Sequence, residues 1–427
     1  GLGATYFNLQ EYKEAKRCFK KAIELDKENV DTWVNLGLAQ RILKQYKNAI
    51  ESFEKVTELD PRNPDGWFML GSTYLMMDSK MFDARKCFMI SIVLDPKNSA
   101  AWLGAGTVQR VLGKYKEAME SFKRLIKLNE KNVDAWVGLG KTYFNLRDYK
   151  EAKECFEKAI ELDKENVNAW VSLGLAQSSL TEYKNAIESY KKVIELNKGN
   201  VNAWVGLGLS YGNLGEHKEA KECFEKATKL DKENVDAWVN LGLAQRILKE
   251  YENAFESYKK AIELDNEDVN AWVNFGEIHL RLKNYEEAKK CFEKAIKLDP
   301  KDEHTNVSLI ELLVINGNYG EAFEKARTNV DLFKTVKYRF LSSFFAVLSL
   351  ALQNKHEEFL ELISELLLDL EKSEKPYGIS WDFADIKATL EQRLEKEEMT
   401  LISQLIDVLK EEKDLVELEK ALKIKKR

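Results

Sequence analysis

VDAWVGLGKTYFNLRDYKEAKECFEKAIELDKEN, residues 133–166, holds two helical stripes joined by a turn. Trp136, Leu139, Gly140 and Tyr143 fall at i, i+3, i+4 and i+7, one face of a first helix. Ala152, Phe156 and Ala159 repeat that spacing on a second helix. Asn132, four residues before the tryptophan, stands where an N-cap belongs. The same frame returns at Trp33, Trp67, Trp102, Trp170, Trp204, Trp238 and Trp272, at steps of 34 residues with one step of 35. Each tryptophan has its cap candidate: Asn29, Asn63 (followed by Pro64, a favoured first helical residue), Asn98, Asn166, Asn200, Asn234 and Asp268. A fixed period of about 20–50 residues marks a stacked-repeat solenoid, in which each unit touches only its neighbours.

The recurring pattern is W-x2-LG-x2-Y…A-x3-F-x2-A…P. Its last full copy carries Trp272, Phe275, Gly276, His279, Tyr285, Ala288, Phe292, Ala295 and Pro300. It resembles the tetratricopeptide repeat (TPR) family, in the Lys- and Glu-rich style of thermophilic prokaryotic and archaeal proteins. The resemblance implies an all-α, right-handed superhelical solenoid of helical hairpins whose first helices line a concave groove.

A partial repeat (1–29) precedes eight full repeats (about 30–302), numbered here 1 to 8 by their tryptophans. Asp302, Tyr319 and Ala322 mark a ninth, degenerate repeat over about 303–328, which ends a solenoid over 1–328. Residues 329–427 read as a helical C-terminal cap over the last apolar face. Its expected helices are Lys337–Leu352, His356–Leu370, Asp382–Lys396 and Met399–Lys423, with a loop at 373–383 and Trp381 packed inside. The repeat tryptophans are expected to be interred between successive units, each covering ~150–250 Å². The mid-repeat start predicts either a longer array or a frayed first helix, and an unmatched first helix could self-associate end to end.

Across 427 residues, 66 Lys and Arg oppose 72 Asp and Glu, a formal charge of −6 with the signs interleaved as in EAKECFEKAIELDKEN. That pattern is solvated helix surface with i,i+4 pairs. Lacking a basic block, such a chain is not expected to bind nucleic acid. The longest apolar stretch, Phe340–Leu352, is broken by serines and too short to span a bilayer, so no membrane partner and a cytoplasmic location are expected.

The five cysteines, 18, 87, 155, 223 and 291, recur every second repeat, always just before the second-helix aromatic. The intervening repeats have Ser52, Ser121, Ser189 and Ser257 there. Copies two repeats apart cannot bring their Cα atoms within the ~7 Å a disulfide needs, and metal binding fails on the same geometry. They read as small, half-buried packing residues. In step with them, Tyr6, Tyr74, Tyr143 and Tyr211 alternate with Gln40, Gln109, Gln177 and Gln245, so the copied unit spans two repeats.

Catalytic chemistry finds little support. His217, His279, His304 and His356 are scattered and read as unpaired. The string Gly138-Leu-Gly-Lys141-Thr142 lacks the first glycine of a phosphate loop, since Ala135 stands there, and it lies inside a helix. No enzyme, no cofactor and no metal are expected.

Function then falls to the surface. The exposed stripe of the first helices comprises residues at Trp −2, +1, +2, +5, +8 and +9. It offers Asn35, Asn240 and Asn274 at +2 and Arg41, Arg110 and Arg246 at +8. Asparagine amides can both donate and accept, which suits the backbone of an extended peptide. Chaperone-binding members of the family clamp a C-terminal carboxylate with bases along this stripe; here −2 is acidic or Asn and +2 holds no base. Repeat 2 departs from the rest: it holds Met69, Met76, Met77, Met81 and Met89, five of seven methionines, and the one-residue insertion. A hydrophobic pocket bounded by Phe68, Met69, Leu75, Met76 and Leu103 is expected there, because methionine suits varied apolar partners. The expected function is a non-catalytic scaffold or adaptor holding a partner's peptide or helix in the groove. The alternative is the regulatory array of a larger enzyme whose catalytic part lies outside these residues.

Overall fold

The computed structural model describes residues 1–372, 383, 386, 387, 390, 393, 394 and 396–410. Among them every regular element is helical. They form two compact units, Gly1–Glu216 and His217–Arg427. Unit 1 contains α1 (Leu2–Asn8), α2 (Tyr12–Leu25), α3 (Val30–Ile42), α4 (Tyr46–Leu59), α5 (Pro64–Tyr74), α6 (Met81–Leu94), α7 (Ser99–Val111), α8 (Tyr115–Leu128), α9 (Val133–Asn145), α10 (Tyr149–Leu162), α11 (Val167–Ser179), α12 (Tyr183–Leu196) and α13 (Val201–Asn213). Unit 2 contains α14 (His217–Leu230), α15 (Val235–Ile247), α16 (Tyr251–Leu264), α17 (Val269–Arg281), α18 (Tyr285–Leu298), α19 (Glu303–Ile315), α20 (Tyr319–Leu332), α21 (Val336–Leu352), α22 (His356–Lys372) and α23 (Lys396–Leu409). The expected loop 373–383 except Phe383, Trp381, most of the helix expected at Asp382–Lys396, and the stretch 411–427 lie outside the described residues.

Punctuation at each repeat follows from backbone hydrogen-bond needs. The cap side chains Asn29, Asn63, Asn98, Asn132, Asn166, Asn200, Asn234, Asp268 and Asp302 each accept the backbone N–H three residues on, at 2.7–3.0 Å. Each bond satisfies a donor that the helix start would leave orphaned. Between the two helices of a repeat one residue takes a left-handed conformation, glycine at Gly113, Gly215 and Gly317 but Lys44, Arg147, Thr181, Lys249 and Lys283 elsewhere. In repeat 2 a short 3-10 turn, Asp78–Lys80, occupies this place and absorbs the insertion.

The interred aromatic is not the tryptophan, which corrects the sequence reading. All eight indoles are half-buried. Each lies across the turn that enters its helix and donates Nε1–H to the carbonyl six residues earlier, at 2.9–3.1 Å. An indole N–H must find an acceptor, and placing the ring at the rim supplies one. The ring that fills the stack belongs to the second helix: Phe53, Phe88, Phe122, Phe156, Tyr190, Phe224, Tyr258 and Phe292, none more than 3% exposed. Phe122 sits between Gly106 of its own repeat and Gly138 of the next; a Cβ at Gly106 would stand 2.8 Å from its Cε1. Phe88 and Tyr190 lie likewise between Gly71 and Gly104, and between Gly174 and Gly206. The glycines are small because the ring occupies their side-chain space.

The two-repeat alternation has a physical cause. Ser52, Ser121, Ser189 and Ser257 are buried and hydrogen-bond at 2.7 Å to Gln40, Gln109, Gln177 and Gln245. A buried hydroxyl needs such a partner. Where the first helix carries tyrosine instead, the second carries cysteine, which tolerates burial without one. Cys87, Cys155, Cys223 and Cys291 are fully buried rather than half-buried, and only Cys18 is half-exposed. Burial pushes the thiols of Cys87, Cys155 and Cys291 up to about 12.

In unit 2 one continuous core runs from Leu280 through Val307, Leu312, Phe344 and Phe359 to Leu405 and Leu409. The apolar stretch Phe340–Leu352 is buried in it. Among the described residues no helix is long and apolar enough to cross a membrane.

Candidate functional site

First helices of neighbouring repeats touch directly along unit 1 (α5 with α7, α7 with α9), so their outer residues form one shelf. Two arginines at +8 meet the +5 residue of the next repeat, 31 residues on. Arg41 Nη1 donates to Ser72 Oγ at 2.9 Å. In unit 2, Arg246 Nη1 lies 3.0 Å from Glu277 Oε2, and its guanidinium also faces the Tyr258 hydroxyl. At the equivalent register in unit 1, the residue 31 positions after Arg110 is Lys141 rather than a carboxylate. Burial lowers the Lys141 ammonium below its ordinary value, Arg110 lowers it further, and Asp134 opposes them. Burial likewise lowers Arg41 and Arg110. Among the described residues, no carboxylate lies within ion-pair distance of Arg41, Arg110 or Lys141.

The predicted apolar residues separate on the structure. Phe68, Met69 and Leu75 pack against the Phe88 cluster, and the Phe68 and Phe88 rings lie 6.0 Å apart. Met76 is 57% exposed. Leu103 joins the next cluster, around Phe122 and Leu139. Phe68 is thus partly a core residue, and Met76 is the open one. Surface depressions of about 530 and 450 Å³ are lined by other residues, around Trp33 and Ser52 and around Trp170.

The asparagines engage their own helices. Asn35, Asn240 and Asn274 donate Nδ2–H to the carbonyls of Asp31, Asp236 and Asn270, four residues back, at 2.7–2.8 Å. One of the two N–H donors of each amide is thus engaged within its own helix.

The string Gly138–Thr142 lies within α9, and its lysine belongs to the shelf. Two histidines read as unpaired have carboxylate neighbours: His304 lies 3.9 Å from Glu277 and His356 3.3 Å from Glu398. Packing of one hairpin on the next brings together partners far apart in sequence. His279 is buried edge-on between Phe255 and Phe275. Among the described residues no group of three or more His, Cys, Asp or Glu is arranged to hold a metal ion.

One feature escaped the sequence reading. On α6, Phe82, Ile90 and Val93 take positions that are charged on the second helices of all seven other full repeats, such as Lys47, Lys55 and Glu58 on α4. Phe82 and Val93 are 70% and 75% exposed. Aligning the second helices by their aromatic would have exposed them.

Tetratricopeptide repeat models match residues 1–29, 30–63 and 133–166. Two further TPR models match 106–146 and 52–85, and the model of the cilia and flagella-associated protein 70 C-terminal domain matches 166–309. The chain belongs to the TPR family. Among solved structures, MamA is 30% identical over 38% of this chain and 94% of its own, with a TM-score of 0.36. YrrB, a TPR protein with an unusual peptide-binding site, is 24% identical over 47% of this chain and 99% of its own, with a TM-score of 0.39. The APC/C hetero-tetramer Cut9–Hcn1 gives 18% identity over 73% of this chain and 74% of its own, with a TM-score of 0.49. No curated protein sequence matches the chain. TPR arrays are protein-interaction scaffolds, and this solenoid is one.

Proposed function

We propose that unit 1 is a non-catalytic docking module that holds a segment of a partner protein on the first helices of repeats 1 to 4. The observation that carries this reading is the break in pattern at repeat 2. Phe68, Met69 and Leu75 are half-buried, and Met69 stands where the other full repeats have Asn, Gly or Ser; the largely exposed Met76 joins the exposed apolar residues Ile42 and Val111 at the same position of the flanking repeats. An apolar residue held half in solvent on a rigid helix loses little conformational entropy when covered and gains the burial of its surface.

The test is affinity capture by the immobilised full chain from the source lysate, quantified by mass spectrometry. Phe68→Asp would disturb Phe88, so Met76→Asp is the informative variant. It should lose specific partners, while Phe82→Ser on the outer face of α6 should keep them. An unchanged partner set with Met76→Asp, or loss on Phe82→Ser instead, refutes the reading.

A further inference from the structure

The outer face of α6 breaks the surface pattern of the second helices. Phe82, Lys86, Ile90 and Val93 fall at i, i+4, i+8 and i+11, along one side of the helix. On α4 and α10 the same four positions read Lys, Glu, Lys, Glu, and they close the pairs Lys55–Glu58 and Lys158–Glu161. The neighbouring α8 departs in a different sense. Its four positions hold Lys116, Glu120, Arg124 and Lys127, so Arg124 has a lysine three residues on where Lys55 and Lys158 have a glutamate. Arg85 Nη2 of α6 pairs with Glu117 Oε2 of α8 at 2.6 Å, which sets the apolar stripe and the basic stripe side by side. Asp83 on α6 is engaged by Lys80 at 3.2 Å, and Glu120 is the acid that remains on the basic stripe.

We propose that the joint face of α6 and α8 receives an amphipathic helix of a partner protein. Its apolar side rests on Phe82, Ile90 and Val93, and its acidic flank lies against Lys116, Arg124 and Lys127. From 82 to 93 the apolar stripe is about 16 Å long, three helical turns. A helix roughly 10–12 Å across covers that stripe and reaches the next. Apolar anchors at helical spacing beside a row of opposite charge are the marks of helix docking. The flanking carboxylates decide against a flat anionic lipid surface. Glu51 and Glu58 of α4 and Glu154 and Glu161 of α10, all exposed, would be pressed against it, whereas a single helix stays between them. This face is separate from the first-helix stripe, so its occupant is counted apart from the partners that Met76→Asp loses.

The probe is a fluorescein-labelled peptide AQLEAQLEALEAQLEA, acetylated and amidated, titrated by anisotropy against the full chain. Folded as a helix, it carries four leucines on one side and four glutamates on one flank. Submillimolar binding is expected, and the neutral form with Gln for every Glu should bind at least tenfold more weakly. Phe82→Ser/Val93→Ser should cut binding at least tenfold. So should Lys127→Glu, which gives Arg124 the internal partner that Lys55 and Lys158 have. Met76→Asp should leave binding unchanged. All these side chains are exposed, and circular dichroism checks that the fold is kept. Absence of submillimolar binding, equal binding of the two peptides, or full binding by either α6 or α8 variant overturns the proposal. Loss with Met76→Asp alone places the peptide on the first-helix stripe and overturns it too. Vesicles of phosphatidylcholine and phosphatidylserine should leave the chain in the supernatant; co-sedimentation that Phe82→Ser/Val93→Ser abolishes assigns the face to lipid and overturns the helix.

Discussion

Phe122→Ala tests which aromatic holds the repeats together. The Phe122 ring is 1% exposed and lies between Gly106 and Gly138. An aromatic side chain buries ~150–250 Å², and at about 25 cal/mol per Å² its transfer is worth roughly 4–6 kcal/mol. Measured Phe→Ala losses in cores run at about 3–5 kcal/mol, depending on how far the cavity closes. Collapse is restricted here, because α7 and α9 are each held by two further helices. A loss of about 4 kcal/mol follows, located at the boundary of repeats 3 and 4. The parallel change Trp136→Phe removes one N–H···O bond to Glu130 and some half-exposed surface, and should cost about 1–2 kcal/mol. The assay is amide exchange by mass spectrometry on peptides spanning α7 to α9, under conditions where exchange reports the opening free energy. A loss below about 1 kcal/mol for Phe122→Ala, or a larger loss for Trp136→Phe, refutes the assignment of the stack to the second-helix ring.

Further outcomes follow from other positions. Thr181, β-branched, has φ of 60° where three other repeats use glycine; Thr181→Gly should therefore stabilise unit 1 by about 1 kcal/mol in urea unfolding, and any destabilisation contradicts the strain. Burial pushes the His279 imidazole below its ordinary 6.5, with Glu287 opposing, so the unfolded chain binds more protons just below that pH and stability must fall as pH drops below 6.5. Replacing His279 by the tyrosine found in other repeats should remove that component, and an unchanged pH profile of unit 2 unfolding would count against it. At pH 8 a thiol reagent should leave Cys87, Cys155 and Cys291 unmodified in the native protein and reach all five cysteines in denaturant; fast native labelling of these three contradicts their burial.

Helices and caps were readable because they depend on spacing within one repeat. Asn132 and Trp136 fix the start of α9 by local hydrogen bonding, and eight such starts hold in the structure, with a ninth capped by Asp302 alone. Tryptophan burial misled, because residue size suggests core whereas the polar N–H draws the indole to the rim. The buried Phe122 was named in the same frame, yet its place depends on two glycines 32 residues apart. At the candidate site, Met69 was visible as a departure, the one large apolar residue at Trp +2 among the eight full repeats. The pairing of Arg246 with Glu277 was not visible, since Glu277 lies in the next repeat, 31 residues on. That 31-residue register is a property of the stack, and a single repeat does not display it.

Photo-cross-linking tests the central claim most directly. The full chain carrying a photo-reactive phenylalanine analogue in place of Met76, or in place of Phe82, is irradiated in the source lysate and the cross-linked proteins are identified by mass spectrometry. Specific cross-links from position 76 that excess unlabelled chain competes away, with none of them from position 82, are the predicted result. The same cross-links from position 82, or cross-links from position 76 that competitor does not displace, would contradict recognition by the first-helix shelf.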